Sequence, residues 1–105
     1  MDLTLLRENA SKASSLLKSL ANEDRLMLLC QLVEGEKSVS ELEKLTGIRQ
    51  PTLSQQLGVL RTEVLVSTRR EGKWIYYSIA SEEAMVMLSA LHGVFCAERA
   101  DTPAS

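Results

Sequence analysis

Cys30 and Cys96 are the only thiols in this 105-residue chain, and His92 is its only imidazole. A thiolate is a nucleophile toward sulfur and a ligand for soft metals, so these side chains carry most of the covalent or coordinative chemistry available. His92 lies four residues before Cys96, on the same side of a helix, and with Cys30 it could complete a Cys2His metal site. Met85 and Met87 could add soft ligands, but thioethers on an apolar helix are ordinarily core filler. Two buried, inert cysteines are the competing reading, since Cys is among the most buried residue types. A second group has different chemistry. Gln50, Thr52, Ser54, Gln55 and Gln56 are crowded together, and each side chain can both donate and accept hydrogen bonds. Gln can pair bidentately with adenine, and Ser or Thr can address base edges or phosphates. Around them stand Arg49, Arg61, Arg69, Arg70 and Lys73, cations suited to phosphate.

The elements that must position these groups are marked by apolar periodicity. Leu6, Ala10, Ala13, Leu17 and Leu20 recur at steps of three and four and predict a first helix over about 5–20. Asn22 predicts an N-cap for a second helix, with Glu23 and Asp24 in its first turn and a buried face of Leu26, Leu29, Cys30 and Val33 ending at Gly35. Ser40 and Glu43 have capping-box spacing and predict a third helix of about two turns, closed by Gly47. A fourth helix begins at Gln50 with Pro51 in its first turn, and Leu53, Leu57 and Leu60 form its inward stripe. Two strands follow over 65–70 and 74–79, joined by Glu71-Gly72-Lys73. Trp74 and Tyr76, at alternating positions, are expected to pack this hairpin against the body. Ser81 caps a last helix over about 82–99 whose apolar face runs through Met85, Leu88, Leu91 and Phe95, and residues 101–105 are expected to fray.

A chain of 105 residues builds one compact core, and 45% apolar with 25% charged residues is a globular composition. No apolar run exceeds the five residues of 26–30, far too short for a membrane span, and the first residues lack a signal-peptide pattern. A cytoplasmic protein is expected, with no membrane partner, in a compartment where cysteines are thiols by default. The net charge of −2 conceals a division by segment. Residues 1–48 carry six cations against eight anions, residues 49–77 five against two, and residues 78–105 one against four. The basic island coincides with the polar helix and the hairpin. No paired nucleophile and base, glycine-rich phosphate loop or metal triad is present, so neither an enzyme nor a cofactor is expected. A protein-interaction module is the other class, separable by the salt sensitivity of DNA binding.

The third helix, the turn at Gly47 and the polar fourth helix read as a helix-turn-helix over about 40–62, with a basic wing over about 65–79. The expected fold is mainly α, a single winged helix-turn-helix domain over 1–105 in the order α-α-α-α-β-β-α. One short recognition helix reads only a half-site, which favours a homodimer. The apolar faces Leu6-Ala10-Ala13-Leu17 and Leu88-Leu91-Phe95 are the expected dimer surfaces. Four runs then carry a resemblance: Ser38-Val39-Ser40-Glu41-Leu42, Gln50 through Arg61, Arg69-Arg70-Glu71-Gly72-Lys73, and Tyr76-Tyr77-Ser78. They closely resemble the ArsR/SmtB family of bacterial repressors, over nearly the whole chain. The resemblance implies a homodimer through the first and last helices, bound to an inverted repeat in double-stranded operator DNA and released when an inducer is sensed. Arg49 stands where the family usually has a small polar cap. Val64 stands where it usually has Gly, and Val in a left-handed conformation is strained by about 1–2 kcal/mol.

Metal-sensing relatives use a cysteine box on the third helix or Asp/His and His/Glu pairs on the last. Here residues 39–43 hold no cysteine, and the last helix has only His92. The contexts Leu28-Leu29-Cys30-Gln31-Leu32 and Val94-Phe95-Cys96-Ala97 resemble the BigR/SqrR-type subgroup, which senses reactive sulfur species. The resemblance implies that Cys30 and Cys96 are joined within one protomer on oxidation, by a disulfide or a longer polysulfide, and that DNA affinity falls. A direct disulfide needs the two Cα atoms within about 4.4–6.8 Å, and additional sulfur atoms tolerate a wider gap. A metal site of Cys30, Cys96 and His92, or a regulator with inert cysteines, are the alternatives.

Overall fold

In the computed structural model, which describes residues 2–96 except the side chain of Cys96, capping chemistry sets the helix boundaries. Helix α1 (Leu3–Leu20) starts where Asp2 accepts from the Thr4 amide, and α2 (Glu23–Val33) where Asn22 Oδ1 accepts from the Arg25 amide at 3.0 Å. A short strand β1 (Lys37–Ser38) precedes α3 (Val39–Thr46). The capping box there belongs to Ser38 and Glu41, a correction to the expected Ser40 and Glu43. The Glu41 amide donates to Ser38 Oγ at 3.1 Å, and the Ser38 amide donates to Glu41 Oε1 at 2.8 Å. Both pairs have the required spacing, but an N-cap must be extended. Pairing of β1 with the wing holds Ser38 extended, whereas Ser40 already lies within the helix.

Helix α4 (Thr52–Thr62) is followed by β2 (Val66–Glu71), β3 (Trp74–Ile79), α5 (Glu82–Leu91) and a π-helical turn, His92–Cys96. Pro51 occupies the N-cap position rather than the first turn, and Gln50 Oε1 accepts from the Ser54 amide at 3.1 Å. The observed order is α-α-β-α-α-β-β-α, one strand more than expected, because two residues carry no periodicity. The last helix is α-helical only to Leu91, with Gly93 inside the π turn. Its predicted continuation to 99, and the tail 101–105, lie outside the described residues. The sheet is antiparallel in the order β1-β3-β2, and Glu71 pairs with Trp74, so the hairpin loop is Gly72-Lys73.

The core is built by Leu28, Leu29 and Leu32 of α2, Leu42 of α3, Leu53, Leu57 and Leu60 of α4, and Leu88 of α5. Helix α2 packs against all the other α-helices and β3, so it buries a broad sector instead of the single expected stripe. Leu28 and Leu32 are fully inside, and Leu26, Cys30 and Val33 flank the core half-buried. On β3 the buried aromatic is Tyr77, with Ile75 and Ile79 beside it, whereas Trp74 is 47% exposed and Tyr76 lies on the outer face. Tyr77 therefore joins wing to body, a correction to the expected Trp74 and Tyr76. With an apolar residue on each face of Trp74–Ile79, alternation alone cannot choose between them.

Helix α4 ends in a Schellman motif with a valine at its left-handed position. The Leu65 amide donates to Leu60 O at 2.9 Å, the Val64 amide donates to Arg61 O at 3.0 Å, and Val64 has φ 59°. Leu60 and Leu65 are both buried, which supplies the hydrophobic contact of the motif and holds the strained residue in place.

Candidate nucleic-acid interface

The turn between α3 and α4 is fixed from within. Gly47 has φ 76°, a conformation that favours a residue without Cβ, and its amide donates to Glu43 O at 2.9 Å. Thr46 Oγ1 donates to Leu42 O at 2.7 Å and accepts from the Ile48 amide at 3.2 Å, and Ile48 is buried. Burial of Leu53, Leu57 and Leu60 then fixes the rotation of α4 about its axis. Ser54 and Gln55 are left exposed, Thr52 and Gln56 half-buried, and Arg49, Gln50 and Arg61 exposed around them. The polar residues expected on one recognition surface thus differ in how they are held. Gln50 precedes α4 rather than beginning it, and its Oε1 accepts from the Ser54 amide in the first turn, while Gln56 Oε1 accepts from Arg25 Nη1 at 3.0 Å.

The wing cations also divide. Arg69 donates to both oxygens of Glu36 at 2.9 and 2.8 Å and to Glu71 at 2.9 Å, and its guanidinium lies 4.7 Å from the Tyr76 ring centroid. Its hydrogen bonds to the two carboxylates stabilise the cation, and the bond from Arg69 holds the Glu36 carboxyl below its ordinary range. Exposed ion pairs contribute little to stability singly, but a bidentate pair with a stacked ring fixes orientation. Arg69 therefore braces the wing to the loop after α2. Arg70, one residue on, points to the opposite face of the strand, and Lys73 stands at the hairpin tip, 5.7 Å from the Trp74 ring centroid. Arg25 and Glu36 went unnoticed in the sequence, because neither belongs to a local motif.

Cys30 lies on the flank of α2 that packs toward the core, half-buried. Cys96 closes the π turn that continues α5, and its side chain, and with it the predicted pairing, lies outside the described residues. His92 is exposed. Among the described residues, no three His, Cys, Asp or Glu side chains gather as metal ligands, and no helix is long and apolar enough to cross a membrane. Leu6, Ala10, Ala13 and Leu17 on α1 are all exposed, as a dimer face requires, and Val94 and Phe95 are exposed beyond α5. Leu88 is a correction: it belongs to the core rather than to the dimer face, and Leu91 is half-buried.

Residues 22–68, from the α2 cap into the wing, match the model of the bacterial regulatory protein arsR family. The crystal structure of the transcriptional repressor BigR from Xylella fastidiosa is 49% identical, covers 93% of this chain and 100% of its own, and superposes with a TM-score of 0.84. The chain belongs to the ArsR family. Reduced HlyU from Vibrio cholerae is also similar, at 41% identity over 90% of this chain and 99% of that one, with a TM-score of 0.86. The homodimeric winged helix-turn-helix domain Mb0332 of Mycobacterium bovis shares 33% identity over 84% of this chain and 82% of its own, with a TM-score of 0.71. An ArsR-family winged helix-turn-helix protein is a DNA-binding transcriptional regulator, and the enzyme class falls away. Its helix-turn-helix is α3 and α4 and its wing β2 and β3, and apolar side chains stand exposed on α1 and just beyond α5.

Proposed function

We propose that this ArsR-family regulator is a cytoplasmic homodimeric repressor that binds an inverted repeat when its thiols are reduced and releases it when Cys30 and Cys96 are bridged. In this reading Ser54, Gln55, Thr52, Gln50 and Gln56 face the major groove, Arg49, Arg61, Arg70 and Lys73 serve the phosphates, and Arg69, paired with Glu36 and Glu71, holds the wing in place for them. The observation that carries the switch is the seat of Cys30 on α2, which packs against both α4 and α5. A bridge from Cys30 to the segment that continues α5 pulls on the helix that seats the recognition helix. The likeness to BigR and to a HlyU described as reduced supports a thiol switch.

The chemistry balances with a persulfide as oxidant. One cysteine thiolate attacks the outer sulfur of RSSH, forming a protein persulfide and releasing RSH. The other thiolate then attacks the protein sulfur of that persulfide and expels hydrogen sulfide, leaving one disulfide and consuming two protein thiols. If both cysteines take up sulfur first, loss of one hydrogen sulfide leaves a three-sulfur bridge instead. Intact mass distinguishes the two products.

The test is DNA affinity by fluorescence anisotropy on wild type, Cys30→Ser and Cys96→Ser, with and without a persulfide donor. Wild type should lose at least about tenfold in affinity, a differential of about 1.4 kcal/mol between dimer geometries. Each variant should bind DNA and ignore the donor. A response that survives either substitution, or one that requires added Zn(II) or Cu(I) and is abolished by chelator, rejects the bridge.

A further inference from the structure

Arg25 joins three elements through one guanidinium. Its Nε donates to Ser19 O at 2.8 Å and its Nη2 to Lys18 O at 3.3 Å, the latter a carbonyl that also accepts from the Ala21 amide, so the guanidinium sits on the C-terminal carbonyls of α1. A cation there also complements the negative end of the helix dipole. Its Nη1 donates to Gln56 Oε1 at 3.0 Å, on α4. Beside it, Ser19 Oγ of α1 hydrogen-bonds Glu63 Oε1 at the far end of α4. The last turn of α1 is thus tied to α4 near both its middle and its end. The rest of α1 extends toward the face a dimer partner would cover.

The contact has a chemical consequence for Gln56. Guanidinium has five donors and no acceptor, so it selects the amide oxygen and fixes which way the Gln56 amide is turned. A glutamine reads adenine bidentately by accepting from N6 and donating to N7, which needs its oxygen directed at the base. With Oε1 held by Arg25, Gln56 has its Nε2 hydrogens to offer. Those suit acceptors: guanine O6 or N7, thymine O4, or a phosphate oxygen.

We propose that Arg25 is a positioning residue for DNA recognition, which sets Gln56 as a hydrogen-bond donor and couples the dimer helix α1 to the recognition helix α4. This rests on the reading that α4 enters the major groove. It predicts that Gln56 discriminates at an acceptor position, and that the discrimination depends on Arg25.

The test starts from duplexes selected by the wild-type dimer out of a random library. Affinities for the selected duplex, for its single-base variants and for an unrelated duplex are then measured for wild type, Arg25→Ala, Arg25→Lys, Gln56→Ala and Arg25→Ala/Gln56→Ala. Lys keeps the charge beside α1, but one ammonium cannot reproduce the planar three-acceptor fork. Arg25→Ala and Arg25→Lys should each reduce the ratio of selected to unrelated affinity by about tenfold, relaxing the same base-pair position that Gln56→Ala relaxes. The double variant should be no worse than the weaker single one, as expected for one shared interaction. Equal weakening on all duplexes, or additive effects in the double variant, overturns the proposal, since a purely structural or electrostatic role would behave that way. Should Arg25→Ala not fold, Arg25→Lys and Gln56→Ala decide the matter by whether they relax one shared position. If Ser54→Ala, Gln55→Ala and Gln56→Ala all leave selection unchanged while wing variants abolish binding, the failure lies in the groove assignment of α4 rather than in Arg25.

Discussion

Leu88 and Phe95 have the seven-residue spacing of one helical stripe, yet with a π turn beginning between them Leu88 is wholly buried and Phe95 is 76% exposed. The contrast divides the molecule. From α2 to the first turns of α5 the chain closes its own core, as Leu42, Leu53, Leu57 and Leu60 show by their burial. At α1 and the end of α5 the apolar side chains Leu6, Leu17, Val94 and Phe95 lie open. The reading half is complete in one protomer, and the open side chains are those that a second protomer covers in the proposed homodimer. Under that proposal recognition geometry is a property of the dimer, whereas the recognition helix itself is a property of the chain.

Substitution on either side of that boundary should break different things. Leu88→Ala should lower unfolding stability by about 2–5 kcal/mol through the cavity it leaves in the core. Phe95→Asp should leave the protomer folded and raise the dimer dissociation constant at least about a hundredfold, equivalent to about 2.8 kcal/mol. Urea melts and sedimentation equilibrium separate the two outcomes. A Phe95→Asp protein that remains a dimer at low micromolar concentration would remove this end of α5 from the interface, and the comparison with it.

A smaller effect probes how the reading half holds its third helix. Loss of the Ser38 hydroxyl in Ser38→Ala should cost about 1 kcal/mol, typical of an N-cap. Its partner Glu41 has a carboxyl held below the ordinary 4.5, chiefly because it accepts from the Ser38 amide. A depressed folded-state value contributes stability that is fully present above the unfolded value and is lost as pH falls through the folded one. Wild type should therefore be more stable than Glu41→Ala at neutral pH, with the difference closing on acidification below 4.5. A difference that persists unchanged into strong acid would mean that the carboxylate charge has no part in the cap.

What could be read from the sequence follows the range of the interactions. Leu53, Leu57 and Leu60 identify the inward face of α4, and Asn22 and Ser81 are the N-caps their chemistry suggests, because these are contacts within one or two turns. The choice of Ser38 over Ser40 depends on β1, which exists only through pairing with Tyr76 and Tyr77 nearly forty residues away. Tyr77 rather than Trp74 faces the body because the hairpin register is set by packing, and both faces of β3 are apolar enough for either. At the interface, the polar character of α4 was visible, but its division was not. Arg25 reaches Gln56, and Glu36 reaches Arg69, across more than thirty residues of chain. No local spacing encodes those two contacts.

The smallest effect concerns the join between the recognition helix and the wing, where Val64 has φ 59° with its side chain 70% exposed. An L-residue with a branched Cβ in that region carries about 1–2 kcal/mol of strain, and glycine carries none. Glycine loses more backbone entropy on folding, by about 0.5–1 kcal/mol, so Val64→Gly should stabilise the protein by a net ~0.5–1 kcal/mol. The Schellman bonds from the Leu65 and Val64 amides use backbone only, and Leu60 and Leu65 keep their contact, so the end of α4 should not move. The melting temperature should rise by a few degrees with DNA affinity unchanged within about twofold. Unchanged or lowered stability would show that the surroundings have relaxed the valine. A gain in stability accompanied by weaker DNA binding would show instead that the strained joint helps aim the wing, and would move Val64 from the folding half of the comparison to the reading half.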